Sequence, residues 1–127
     1  YALVANDQAL EPWLDEALAT YSEYLYIEHF YPELADWWWQ YRVETYHPTG
    51  TVNMTIYDTN DTRTYINAVY LQGARFLQEL RNALGDQEYF AGLQGYIFTR
   101  YGVIQTGKDF FRNFPESTQT IIDQYFK

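Results

Sequence analysis

Apolar positions recur at helical spacing over most of the chain. From Trp13 to about Phe30, Leu14, Leu18, Tyr21 and Leu25 stand three to four residues apart and predict one apolar stripe on an amphipathic helix. Pro12 sits where a first helical turn tolerates it, and Glu11, Asp15 and Glu16 place negative charge near the positive end of the helix dipole. Pro32 interrupts the pattern. A second helix is predicted from about Glu33 to Tyr46, carrying Trp37, Trp38, Trp39 and Tyr41. Neighbours on a helix are about 100° apart, so three successive Trp cannot share one face. Either that helix is buried on several sides or it exposes an aromatic surface.

After His47-Pro48-Thr49-Gly50, residues 51 to 63 are rich in Thr, Asn and Asp and read as an irregular loop, with a short extended piece over Val52 to Tyr57. A strong helix returns from about Thr64 to Leu84. Its predicted apolar face is Tyr65, Val69, Gly73, Phe76 and Leu80, with Gly73 and Ala74 admitting a close neighbour. Gly85 is a natural stop, and Asp86 a natural N-cap for a helix reaching about Tyr101. Gly102 breaks that helix. Thr106 or Gly107 opens a short one over Asp109 to Phe114, Pro115 ends it, and Ser117 to Phe126 forms the last. The expected fold is all-α, with helices in antiparallel pairs, in a single piece over residues 1–127.

Composition narrows the partners. Seventeen acidic against eight basic side chains give a formal charge of −9, which disfavours nucleic acid and anionic membrane surfaces. There are no cysteines, so there is no disulfide framework and no thiolate metal site, and the redox compartment stays open. No apolar run approaches the roughly 20 residues of a membrane span, and no targeting segment is present to fix a location. A start at Tyr1 without an initiator Met suggests a chain processed or cut from something longer. The 14 Tyr supply rings for a core and hydroxyls that want polar partners, which suits half-wet surfaces as well.

Read residue by residue, no complete catalytic set stands out. His29 and His47 are far apart in sequence and read as helix-end or surface residues. Asp15 and Glu16 could do acid–base work, but they also fit as solvated charges of a first turn. By helical geometry Glu16 lies away from the Leu14/Leu18/Tyr21 stripe, yet it has no basic residue one turn away and shares its face with Ala19, Thr20 and Ile27. Trp37 to Trp39 could stack on a sugar or hold a partner protein, although core or inter-domain packing is the commoner use.

Two stretches together add a resemblance. Trp13-Leu14-Asp15-Glu16-Ala17-Leu18-Ala19-Thr20-Tyr21 resembles the W-L-N-E-G-F-A-x-Y segment of the membrane alanyl aminopeptidase family, the gluzincin metallopeptidases that include leukotriene A hydrolase. Val69-Tyr70-Leu71-Gln72-Gly73-Ala74-Arg75-Phe76-Leu77 resembles its V-Y-x-K-G-A-x-x-L helix. Leu80-Arg81, Leu84-Gly85-Asp86, Phe90, Leu93 and Tyr96 continue the match, and Tyr101 with Thr106 to Phe110 resembles its R-Y-x-x-x-x-T-x-x-D-F tail. Residues 30 to 60 are the least alike.

The resemblance implies a zinc-dependent peptidase hydrolysing peptide substrates, of which this chain would be the downstream, helical part of the catalytic domain. Glu16 would be the third zinc ligand, after the two His of an H-E-x-x-H helix lying before Tyr1. Tyr70 would donate a hydrogen bond to the oxyanion. Tyr65 matches a second Tyr of some members, and Asp15, where the family has Asn, would neighbour the ligand. Ala17 replaces the family's Gly, and Gln72 its Lys. On this reading the chain alone is inactive and binds zinc poorly, and its partner is the upstream part of the same domain. The alternatives are an aromatic-rich helical binding module for a protein or sugar, and an inactive homologue of the peptidases.

Overall fold

Helix α1 runs from Trp13 to Phe30 and is the element on which the rest is packed. The computed structural model describes residues 5–99 and 102–127. The apolar start at residues 1 to 4 and the expected helix end at Tyr101 lie outside the described residues. The buried face of α1 consists of Trp13, Leu14, Ala17, Thr20, Tyr21 and Tyr24, while Leu18 and Leu25 are only half-buried. The stripe expected from Leu14, Leu18, Tyr21 and Leu25 is therefore displaced around the helix. Two neighbours cover α1 at once: the helix of residues 62–84 on Ala17 and Tyr21, and the Trp38/Trp39 pair on Tyr24. Thr20 is tolerated inside because its hydroxyl donates to the Glu16 carbonyl at 2.7 Å.

Residues 32–46 are helical but irregular. A 3₁₀ turn at Pro32–Leu34 leads into α2 (Ala35–Trp38), a wide π turn over Trp39–Val43, and a second 3₁₀ turn at Glu44–Tyr46. The three Trp part company, as helix geometry requires. Trp38 is 4% exposed and Trp37 is 55% exposed, with Trp39 between them. His47 ends the segment at φ 46°.

The extended piece expected over Val52 to Tyr57 is a series of turns instead. The Asp58 carboxylate accepts from the Thr55 backbone N–H at 2.7 Å and from its hydroxyl at 2.8 Å, which curls the chain back on itself. Val52 is sealed in the core, and its N–H donates to the Tyr125 carbonyl at 2.8 Å.

Asp61 caps the next helix, accepting from the Thr64 N–H at 2.9 Å. One turn of α3 (Thr62–Tyr65) opens into a π-helical stretch at Ile66–Gln72, then tightens into α4 (Gly73–Leu84). Gly85, at φ 78°, terminates α4. Helix α5 covers Asp86–Thr99. Asp86 is its first residue, not the cap expected from sequence. Its carboxylate faces Arg81, which donates from Nε at 2.7 Å and from a terminal nitrogen at 3.0 Å. Arg81 also donates to Glu28 at 2.7 Å, so one guanidinium ties α1 to the α4–α5 corner.

A two-residue parallel pairing joins β1 (Ala5–Asn6) to β2 (Ile104–Gln105), the one strand pairing among the described residues. Thr106 and Asp109 form a capping box for α6 (Gly107–Phe111). A 3₁₀ turn at Glu116–Thr118 leads into α7 (Gln119–Tyr125). Trp13 is held by Phe110, Phe111 and Phe126 at centroid separations of 5.2, 5.6 and 5.0 Å, which fixes the start of α1 against the C-terminal helices. No described helix is long and apolar enough to cross a membrane.

Candidate functional site

Glu16 lies in the first turn of α1, half-buried, at the border of the face that packs inward. It stands just before the sealed Ala17 and one turn before the sealed Thr20, so it flanks the core instead of pointing opposite to it. Among the described residues no hydrogen bond or ion pair engages its carboxylate.

Tyr70 lies in the π-helical stretch Ile66–Gln72 and is half-buried. Its ring meets that of Tyr65 edge to edge-on face, with centroids 6.0 Å apart and planes at 71°. In an α-helix residues five apart diverge by about 140° and do not meet. The wider turn, which closes its hydrogen bonds five residues on, brings them to the same side. Sequence periodicity places Tyr65 on the core face and Tyr70 on its flank; the structure makes them neighbours.

The two helices meet at Ala17 and Gly73. A Cβ built at Gly73 would collide with the Ala17 methyl and stand 3.3 Å from its Cα. Only hydrogen at Gly73 permits this approach. Because Glu16 precedes Ala17 and Tyr70 lies one turn before Gly73, the contact sets the turn of Glu16 against the helix of Tyr70, and α1 packs directly on residues 66–72. The methyl that Ala17 carries in place of a family Gly is thus accommodated by Gly73.

Asp15 goes elsewhere. Burial raises its pKa, and the amides of Asn6 and Gln8 act in the opposite direction. It belongs with the N-terminal segment and makes no acid–base pair with Glu16, from which helix geometry turns it by about 100°. His29 and His47 are both exposed. Among the described residues no group of three His, Cys, Asp or Glu could hold a metal ion. Trp39 lines an open cleft of about 590 Å³ with Tyr24, Asp36, Arg75, Glu79 and Tyr125, whereas the exposed Trp37 meets the exposed Tyr41, ring centroids 5.5 Å apart and planes tilted by 38°. The three Trp therefore form no common binding face.

A family model described as the peptidase family M1 domain matches residues 2–127. The chain belongs to peptidase family M1. The matched span takes in both motif stretches, including Glu16 and Tyr70, and the M1 assignment makes this a peptidase sequence with an all-α fold. No curated protein and no solved structure matches it.

Sequence reasoning missed one feature near the start of α1. Asn6, which donates to the Glu11 carbonyl at 3.0 Å, is paired with the sealed Gln105 at the approach to α1. No linear signal links positions so far apart; the pairing of Asn6 with Gln105 assembles them.

Proposed function

We propose that this chain is the downstream part of the catalytic domain of a zinc-dependent M1 aminopeptidase, with Glu16 as one metal ligand and Tyr70 as the oxyanion donor. The observation that carries the reading is the Ala17–Gly73 contact, which sets the turn of a half-buried carboxylate against the helix of a half-buried phenol inside an M1 sequence. A carboxylate oxygen is a suitable zinc donor, and a catalytic site takes three protein ligands. Glu16 fits as one of them, and the other two would be histidines from residues outside this chain.

The chemistry such an ion supplies when bound is polarisation of the scissile carbonyl and activation of water. The rest falls to the chain. Tyr70 O–H donates to the carbonyl oxygen of the peptide substrate as negative charge develops there, a contribution of about 3 kcal/mol for one well-placed donor. Tyr65, edge-on to the Tyr70 ring, limits the directions that phenol can take. Glu16, at the rim of the core, offers its carboxylate from a turn fixed on both sides by buried residues.

In the protein carrying the full ligand set, Tyr70→Phe retains zinc and loses turnover. Unchanged turnover in Tyr70→Phe removes the role assigned to that phenol. A preference for peptides with a free N-terminus over blocked ones identifies an aminopeptidase; equal cleavage of both makes the parent an endopeptidase. This chain alone binds zinc weakly, because one carboxylate falls far short of a site, and nanomolar affinity in it contradicts the proposal.

A further inference from the structure

The π stretch at Ile66–Gln72 is held from outside by one short segment, residues 44–50. A π turn is rare and appears mostly as a single wide turn inside α-helix, so a run of seven residues needs support from its surroundings. Three contacts supply it along the helix. Before the stretch, the Arg63 guanidinium lies over the Tyr46 ring, 4.7 Å from its centre. At its middle, Gly50 packs on the sealed Ala68, and a Cβ built on Gly50 would stand 2.8 Å from the Ala68 methyl. After it, Arg75 donates from Nε to Glu44 at 3.0 Å, from Nη2 to the same carboxylate, and from Nη1 to the Pro48 carbonyl at 3.3 Å. Nη1 also donates to Gln72 Oε1 at 3.1 Å, which ties the last residue of the stretch to the same guanidinium.

The backbone of the segment brings these groups to the helix. His47 at φ 46° and Gly50 at φ 101° turn the chain in the left-handed sense, and Pro48 between them is buried. Hydrogen at Gly50 suits both that φ and the approach to Ala68. Pro48 has no N–H, so its carbonyl is the one backbone group it offers, and Arg75 takes it. A guanidinium suits the junction because its planar fork gives two donors to a carboxylate and keeps others for neutral oxygens. The ammonium of Lys has no such fork.

We infer that residues 44–50 clamp the π turn through Arg75, and that Arg75 is thereby a positioning residue for Tyr70. Gly50 bears on Ala68, two residues before the phenol, and Arg75 holds Gln72, two residues after it. With both flanks fixed, the wide turn keeps the Tyr65 and Tyr70 rings in contact and the Tyr70 O–H aimed in one direction. The positioning role rests on the proposal that Tyr70 donates to the oxyanion; the clamp does not.

The experiment has two readouts that fail separately. Arg75→Met keeps most of the side-chain length and removes every donor. In a crystal structure of that variant of the zinc-loaded protein, the Tyr65 and Tyr70 ring centroids are expected to part beyond their 6.0 Å separation. Rings left as they are overturn the clamp. In steady-state kinetics, Arg75→Met is expected to lower kcat by about 10- to 100-fold, as a misplacement of about 1 Å does, with KM and zinc content unchanged. Arg75→Lys, which keeps the charge and one or two of the donors, recovers part of the loss. In a Tyr70→Phe background the Arg75→Met change is expected to leave the residual kcat where it was, because a group that acts through the phenol has nothing left to act on. An equal fall in both backgrounds, or a rise in KM with kcat intact, overturns the positioning role. Gly50→Ala leaves Arg75 in place and presses a methyl on Ala68, so it is expected to part the same rings and lower kcat only where Tyr70 is present. Should Tyr70→Phe itself keep full turnover, the oxyanion assignment fails, and the ring separation alone decides the clamp.

Discussion

Tyr65 and Tyr70 touch across a turn that regular α-helix would keep open, with ring centroids 6.0 Å apart. The contact exists because residues 66–72 wind as a π helix, a form that costs hydrogen-bond geometry and appears mostly as a short insertion, frequently at functional sites. It links the phenol proposed to act on substrate with a second ring one wide turn earlier. Tyr65→Ala removes an aromatic pair worth about 1 kcal/mol, so turnover of the zinc-loaded protein should fall several-fold with KM little changed. Tyr65→Phe, which keeps the ring, should leave turnover close to that of the unaltered protein. Steady-state kinetics on both variants separates ring packing from any role of the Tyr65 hydroxyl.

The Ala17–Gly73 approach makes a second prediction. Gly73→Ala must push the two helices apart, at a cost of about 1–3 kcal/mol for an overpacked methyl. The double variant Ala17→Gly/Gly73→Ala returns a hydrogen to the crossing and should recover most of the loss. Urea denaturation of the four proteins in the cycle checks this, and additive losses would show that the two residues do not compete for the same space.

Arg81 is the polar counterpart of that crossing. It is 11% exposed and joins Glu28 on α1 to Asp86 at the start of α5, with its guanidinium 5.2 Å from the centre of the Phe90 ring. Arg81→Met leaves Glu28 and Asp86 without their partner. Because those carboxylates are 35% and 68% exposed, water recovers part of the loss, and the expected destabilisation is about 2 kcal/mol by urea denaturation. The same pairing holds the Asp86 carboxyl below its usual range. By linkage that contribution is present above the unfolded value near 3.8 and is lost as pH falls below it, so Arg81→Met should flatten the acid limb of the stability profile.

The alkaline limb follows from the buried tyrosines. Burial pushes Tyr21 up from 10.0 to about 12, against the favourable influence of Arg81 on its phenolate. Burial likewise raises Tyr24, Tyr89, Tyr96 and Tyr125. Between pH 10 and about 12 the unfolded chain releases these protons and the folded chain retains them, so stability falls as pH rises through that window. Ultraviolet titration of phenolate should show one class of Tyr ionising near the ordinary value and a second ionising late, together with unfolding. A single transition near pH 10 in a still-folded protein would contradict the burial described.

Helices were legible wherever turn chemistry punctuated them. Pro12, Gly85 and Thr106 each mark the boundary they suggest, although the helix that Thr106 opens runs over Gly107–Phe111 and not over Asp109 to Phe114. The stripe on α1 was misplaced because Leu18 and Leu25 are the more hydrophobic residues, yet Ala17 and Thr20 are small enough to let other helices come close. The π turns at 39–43 and 66–72 left no trace in apolar spacing, since a single extra residue shifts phase without changing composition. Glu16 and Tyr70 become candidates only through the motif each sits in. The pairing of Asn6 with Gln105 was not legible, because it depends on a strand pair two residues long.

Zinc content of Glu16→Gln, measured by atomic absorption in the protein that carries the full ligand set, tests the central claim most directly. The account predicts a correctly folded variant whose bound zinc falls to a small fraction of the unaltered protein's, with peptide hydrolysis lost alongside it. One zinc per molecule at undiminished affinity in that variant would contradict it.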